Sequence, residues 1–305
     1  MKRKFSALFT FAAIALGAEL ETGAVVKSDA GNFYGNTIPQ IARLGDGRLF
    51  TVWGAFGKND PNGRIVGAFS SDSGSTWSEP RLLIDDPKKM DGDPNILVDG
   101  SKVFVYCTRV NIPNRIDKAW TMVTHSEDNG AHWSTPAEVF IPRQYTPGKQ
   151  HNAIKLQDNT YAMGISWDLW AEQGMAARTE GEMNLSSGVL LSKDGLHWTL
   201  HGNIHTYVEK ISPFSTNGLC EPSIVQLQNG EILMILRSGS SRHWESRSQD
   251  GGLTWSEPKP SALTGHNTPT ALWRTSVPSN LRTRLSQTAS PNPVPTPTGL
   301  SLIHI

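Results

Sequence analysis

Cysteine is almost absent: the 305-residue chain holds two, Cys107 and Cys220. Two thiols can make one disulfide at most, so a disulfide-stapled scaffold is excluded. Whether the two pair or stay as buried thiols is open in the sequence. No cluster of His and Cys has zinc-ligand spacing, no Gly-rich loop has the pattern that cradles phosphate, and no nucleophile elbow presents a serine. An Asp/Asn-rich loop could hold calcium, but no ligand spacing marks a site. No metal and no cofactor is therefore expected. Net charge is absent as well: 28 Lys and Arg offset 28 Asp and Glu. No long run carries one sign, which argues against nucleic acid or an anionic membrane surface as the main partner.

A membrane-spanning run is also lacking. The apolar stretch from Phe5 to Ala18 is too short to cross a bilayer. It follows a basic Lys2-Arg3-Lys4 and ends in the small residues Ala15, Gly17 and Ala18. Residues 1–18 thus read as a cleavable export signal, with a secreted or periplasmic destination. An uncleaved anchor is the alternative reading.

What the chain does have is glycine (28), tryptophan (10) and repetition. The peptide Ser-x-Asp-x-Gly-x-x-Trp occurs at Ser70, Ser126 and Ser248, with a copy one residue shorter at Ser192. The aspartates Asp72, Asp128, Asp194 and Asp250 lie 56, 66 and 56 positions apart. Each copy follows a short apolar stretch, as a β-hairpin requires. The Asp accepts hydrogen bonds from turn amides, the Gly tolerates positive φ, and the Trp opens the return strand. A second repeat keeps the same phase. Apolar strands begin near Thr37, Asp93, His151 and Glu221, and each turns at a pair such as Asp46-Gly47, Asp99-Gly100, Asp158-Asn159 or Asn229-Gly230. The unit is therefore strand, turn, strand, loop, strand, Asp-containing turn, strand. Such a unit cannot bury its own faces and must stack.

The four peptides match the Asp box, and the whole arrangement resembles the sialidase superfamily, the bacterial neuraminidase repeat proteins. The resemblance implies an all-β fold: a sialidase-like β-propeller of four-stranded blades, six in full. This chain would be truncated after about four blades, the propeller filling residues 19–274. A fifth unit starts at His266. Residues 275–305 hold five prolines and neither Asp nor Glu, and read as a disordered or non-native tail. The resemblance also implies that the boxes shape the outer edge of each blade and take no part in chemistry.

Site residues follow from phase and resemblance together. Repeat-equivalent starts are Thr37, Asp93, His151, Glu221 and Asn267; strand ends that follow are Trp53, Arg109, Trp167 and Arg237. Mixed charge, imidazole and aromatic groups at such positions point to a polar cleft at the axis. By resemblance, Asp60 would be the general acid/base, and Glu221 would polarise a tyrosine nucleophile. Arg237 would clamp a substrate carboxylate, and Asp93 would contact a hydroxyl. Arg109, His151 and His266 complete the expected substrate-binding set. The arginine that precedes Ile-Pro in the family is Thr37 here. The third clamp arginine and the tyrosine are not matched by Tyr34, Tyr106, Tyr145, Tyr161 or Tyr207. The expectation is an exported, monomeric glycoside hydrolase-like protein acting on terminal sugars of glycans, inactive as this chain. Two alternatives stand beside it: a non-catalytic glycan-binding propeller, and a uronate polysaccharide lyase using His151.

Overall fold

A computed structural model describes residues 9–10, 22–23, 35–57, 62–111, 119–143, 153–173, 183–273 and 301–304. The export signal expected over 1–18 lies outside them except for Phe9–Thr10, which pairs with Thr22–Gly23. The tail expected over 275–305 lies outside them except for Ser301–His304, a short strand parallel to Thr270–Trp273.

The remaining strands form antiparallel four-stranded units in chain order, the third and fourth joined by a short parallel pairing of Asn184 and Leu185 with Asn217 and Gly218. The first contains β1 (Gly35–Arg43), β2 (Leu49–Phe56), β3 (Arg64–Ser70) and β4 (Arg81–Ile84). The second contains β5 (Lys89–Asp99), β6 (Lys102–Asn111), β7 (Ala119–Ser126) and β8 (Ala137–Val139). The third contains β9 (Ala153–Lys155), β10 (Tyr161–Asp168), β11 (Asn184–Ser192) and β12 (Thr199–Ile204). The fourth contains β13 (Asn217–Gln226), β14 (Ile232–Ser238), β15 (Arg242–Ser248) and β16 (Lys259–Thr264). Strand β17 (Thr270–Trp273) opens a fifth.

The expected first turns are present, and side chains build them. Asp46, Asp158 and Asn229 each accept a bond through Oδ1 from the backbone amide two residues on. The next residue then takes positive φ: Gly47 at 90°, Asn159 at 65°, Gly230 at 90°.

The Asp boxes are hydrogen-bonded circuits. In the first, Ser70 Oγ donates to Asp72 Oδ1 and accepts from Gly74 N, each at 2.8 Å. Asp72 then accepts the amide and hydroxyl of Thr76. The fourth box repeats this with Asp250 and Thr254. In the second and third, His132 and His197 replace the Thr, their Nδ1 atoms 2.6 and 2.7 Å from Asp128 and Asp194. Each Trp indole donates to its own box glycine carbonyl, as Trp133 does to Gly130.

The boxes also join the units. A Cβ at Gly130 would sit 2.8 Å from the ring of Phe69, and one at Gly195 would sit 2.7 Å from that of Phe104. The glycine is thus the surface against which the preceding unit lays an aromatic. Arg48 of the first unit donates to the Asn129 carbonyl in the second box, and Tyr106 donates to the Gly195 carbonyl in the third.

Apolar layers fill the spaces between units. Phe50, Val52 and Ile65 meet Val103, Val105 and Met122. Phe104, Tyr106 and Val123 meet Tyr161, Met163 and Trp198. Val189 and Ile204 meet Leu219, Ile224 and Met234. Each such side chain contributes roughly 1.5–3 kcal/mol on burial. The first strands β1, β5, β9, β13 and β17 all line one cavity of about 690 Å³.

Gly195→Ala should cost about 2–4 kcal/mol, from its positive φ of 79° and the clash with Phe104. Gly47→Ala meets nothing within 4 Å and should cost only about 1 kcal/mol of backbone strain. Urea unfolding of both variants measures the difference; equal losses would contradict the packing role of the box glycine.

The boxes also set acid stability. Bonds from Thr76 and Thr254 hold Asp72 and Asp250 down at about 2. Depressed folded values stabilise the protein above the ordinary carboxylate range, and that stability is lost as pH falls through about 2. Thermal midpoints should therefore drop between about pH 4 and pH 2, more shallowly in Asp250→Asn.

Candidate functional site

The first strands share a feature visible only in three dimensions. Ile38, Asp93 and Glu221 each precede a proline and have φ of 47°, 50° and 46°. At each, the pairing register slips: between Thr37 and Gln40, Gly92 and Asn95, Cys220 and Ser223. This is a bulge, where proline loses no ladder bond. Left-handed backbone costs a non-glycine residue about 1–2 kcal/mol. The strain recurs at an isoleucine, so it belongs to the unit, and the carboxylates at Asp93 and Glu221 are placed on an existing device. The same observation corrects the expected equivalence: Ile38, not Thr37, matches Asp93 and Glu221. His151, the expected third-unit counterpart, lies outside the described residues, as does Asp60.

The bulges also correct the second-strand comparison. Gln40, Asn95 and Ser223 pair with Val52, Tyr106 and Ile235. Counted from there, Arg237 matches Thr108 and Gly54. Arg109 lies one residue further on, so the two arginines leave opposite faces of their sheets.

Arg237, near the end of β14, pairs with Cys220 of β13. Its Nη1 donates to Glu221 Oε1 at 2.5 Å and its Nε to Asn267 Oδ1 at 3.2 Å. Glu221 and Arg237 are only 5% and 6% exposed. Asn267, at φ 52°, also accepts the hydroxyl and amide of Thr216. His266 is exposed, its Nε2 2.7 Å from Ser215 Oγ. Glu221, Arg237 and Asn267 thus form one linked group across the fourth unit and the start of the fifth, with His266 beside it.

Arg109 is spoken for differently. It grips the fully buried Asp91 bidentately, at 2.7 and 2.9 Å, and reaches Asp86 at 3.5 Å. Burial raises the Asp91 carboxyl above its ordinary value, with the Arg109 bonds opposing. Asp91 is the direct cross-strand partner of Arg109; once the bulge is known the pairing follows, but its position cannot be read from Asp93 alone. Asp93 itself is half-buried. Cys107 and Cys220 are buried, lie in different units and form no disulfide, and burial pushes the Cys107 thiol well up. Among the described residues no cluster of His, Cys, Asp and Glu could hold a metal ion.

Residues 36–279 match the family model of the BNR repeat-like domain. The chain belongs to that family. No curated protein matches it. Among solved structures, this BNR-repeat chain is similar to a protein of unknown function from Dyadobacter fermentans, at 19% identity and a TM-score of 0.61, over 79% of this chain and 72% of that one. It is also similar to Trypanosoma rangeli sialidase in complex with sialic acid, at 16% and 0.56, over 84% and 41%. The NanB sialidase of Streptococcus pneumoniae matches at 14% and 0.61, over 81% and 56%. These likenesses establish the fold. The BNR-repeat chain spans 41% of the length of the Trypanosoma rangeli enzyme.

Removing one partner of a buried ion pair strands the other. Arg237→Met should therefore cost about 3–5 kcal/mol in urea unfolding, and adding Glu221→Gln should recover much of it. A double variant no more stable than Arg237→Met would show that the two do not depend on each other.

Proposed function

We propose that this BNR-repeat protein is an exported β-propeller, its four-stranded units serving as blades, that acts on the ends of glycans as sialidase-type glycoside hydrolases do. The observation that carries this reading is the buried Glu221–Arg237 pair, with Asn267 bonded to the arginine beside it. A guanidinium fixed by a carboxylate and an amide is pre-organised to meet an anionic sugar, because its orientation is set before the ligand arrives. In this reading Glu221 holds Arg237 and is available to polarise a hydroxyl. Asp93 contacts a sugar hydroxyl, and Asp60 delivers the proton to the leaving oxygen.

Binding without turnover is the second reading. Of the described tyrosines, Tyr106 and Tyr161 commit their hydroxyls to the Gly195 carbonyl and to Asp99 Oδ2, so neither of these two serves Glu221 as a nucleophile. Among the described residues no helix is long and apolar enough to cross a membrane.

A glycan array and a panel of methylumbelliferyl glycosides test both readings. The chain should bind oligosaccharides that end in an acidic sugar. Arg237→Lys, which keeps the charge but loses the fork, should weaken binding about 10- to 100-fold. Released methylumbelliferone that is lost in Glu221→Gln selects the hydrolase; binding with no release selects the lectin-like reading. A folded chain that binds no glycan would overturn both.

A further inference from the structure

The connection from β12 to β13, residues 205–216, is a run without regular structure that carries three of the large apolar side chains standing in solvent. Tyr207 and Phe214 are each 84% exposed and Ile211 is 59% exposed. The loop is nonetheless fixed along its length. His205 Nε2 lies 2.9 Å from Asn184 Oδ1. Val208 is buried among Leu219, Ile224 and Leu236. The Ile211 amide donates to the Gly239 carbonyl at 3.1 Å. At its end Ser215 bonds His266 and Thr216 bonds Asn267, the residue that holds Arg237. Gly239, two residues beyond Arg237, leaves no room for a side chain: a Cβ there would lie 2.5 Å from the Thr216 carbonyl and 2.9 Å from Ser215 Cβ.

Aromatic rings that an anchored loop presents to water cost solvation and gain nothing in the core. Its anchors run directly to the carboxylate-binding group. We propose that Tyr207 and Phe214 form a platform for the sugar residues that follow the terminal one, so that the protein recognises an oligosaccharide chain and not a single sugar. This rests on the glycan reading above and extends it. The C–H face of a pyranose packs on an aromatic ring while its hydroxyls stay hydrated, which suits exposed rings carried on an anchored loop. Loops fixed by a scaffold at one strand end are where such contacts are made.

An array of neutral and acidic glycans one to four sugars long tests the assignment on the intact chain. Affinity should rise from one sugar to three. Phe214→Ala and Tyr207→Ala should each weaken tri- and tetrasaccharide binding about three- to tenfold and leave monosaccharide binding unchanged. Phe214→Trp should keep the length preference. Length-independent binding by the unaltered chain, or alanine variants that lose nothing, would overturn the platform while leaving the glycan reading intact. Failure to bind any member of the array would remove both. Self-association in sedimentation that Phe214→Ala abolishes, with oligosaccharide affinity unchanged, would overturn the platform by assigning the patch to a second copy of the chain.

Discussion

A four-stranded sheet of this size has two apolar faces and no means of covering either by itself. Everything else in the molecule follows from that constraint. Phe50 and Ile65 are buried only because Val103 and Met122 arrive opposite them, and Phe104 only because Tyr161 and Trp198 do. Units must therefore approach closely and at a fixed register. The box glycines allow this, since Gly130 and Gly195 receive the preceding unit's Phe69 and Phe104 where any larger residue would clash. The Ser-Asp circuit holds the turn that presents them. The repeated peptide is thus a device for stacking as much as for turning, which explains why its Gly and Trp recur while the position after Gly-x varies between Thr and His.

Antiparallel pairing then separates two ends. The first turn and the Asp box of every unit fall at one end, tied across units by Arg48 to Asn129 and by Tyr106 to Gly195. The bulges at Ile38, Asp93 and Glu221 fall at the other, with the longer connections. At the box end each residue is dictated by local geometry. At the bulge end geometry fixes the backbone and leaves the side chain open, so an isoleucine, an aspartate and a glutamate can occupy one strained position. Specific recognition can change there without disturbing the stack.

This division decides what could be read in advance. The unit order, the first turns and the boxes were legible because Gly, Asn, Asp and Trp are demanded by local backbone and packing. Glu221 and Arg237 were named through the family resemblance, each with a role of its own; that the two bind each other is read from the structure. The faces of Arg109 and Arg237 were not legible. A bulge shifts the count by one, and one residue in a strand turns a side chain to the opposite face. Asp91 was missed for the same reason: its partnership with Arg109 depends on where the slip at Gly92 falls. Asn267 stood among the repeat-equivalent starts, but its bonds to Thr216 and Arg237 cross between units, and contacts between units leave no signal in a periodic pattern.

Under the proposed glycan reading, the two arginines divide structure from recognition. Arg109 faces Asp91 and Asp86 and is neutralised by residues of its own sheet and the preceding loop. Arg237 is oriented by Glu221 on its own unit's bulge and by Asn267 from the fifth, and Asn267 is held in turn by Thr216 on the loop that exposes Phe214. Restraint from several elements at once is what a recognition group needs, because the geometry must survive while the ligand's own solvation is being removed. A purely structural pair has no such need and can be satisfied locally, as Asp91 and Arg109 are.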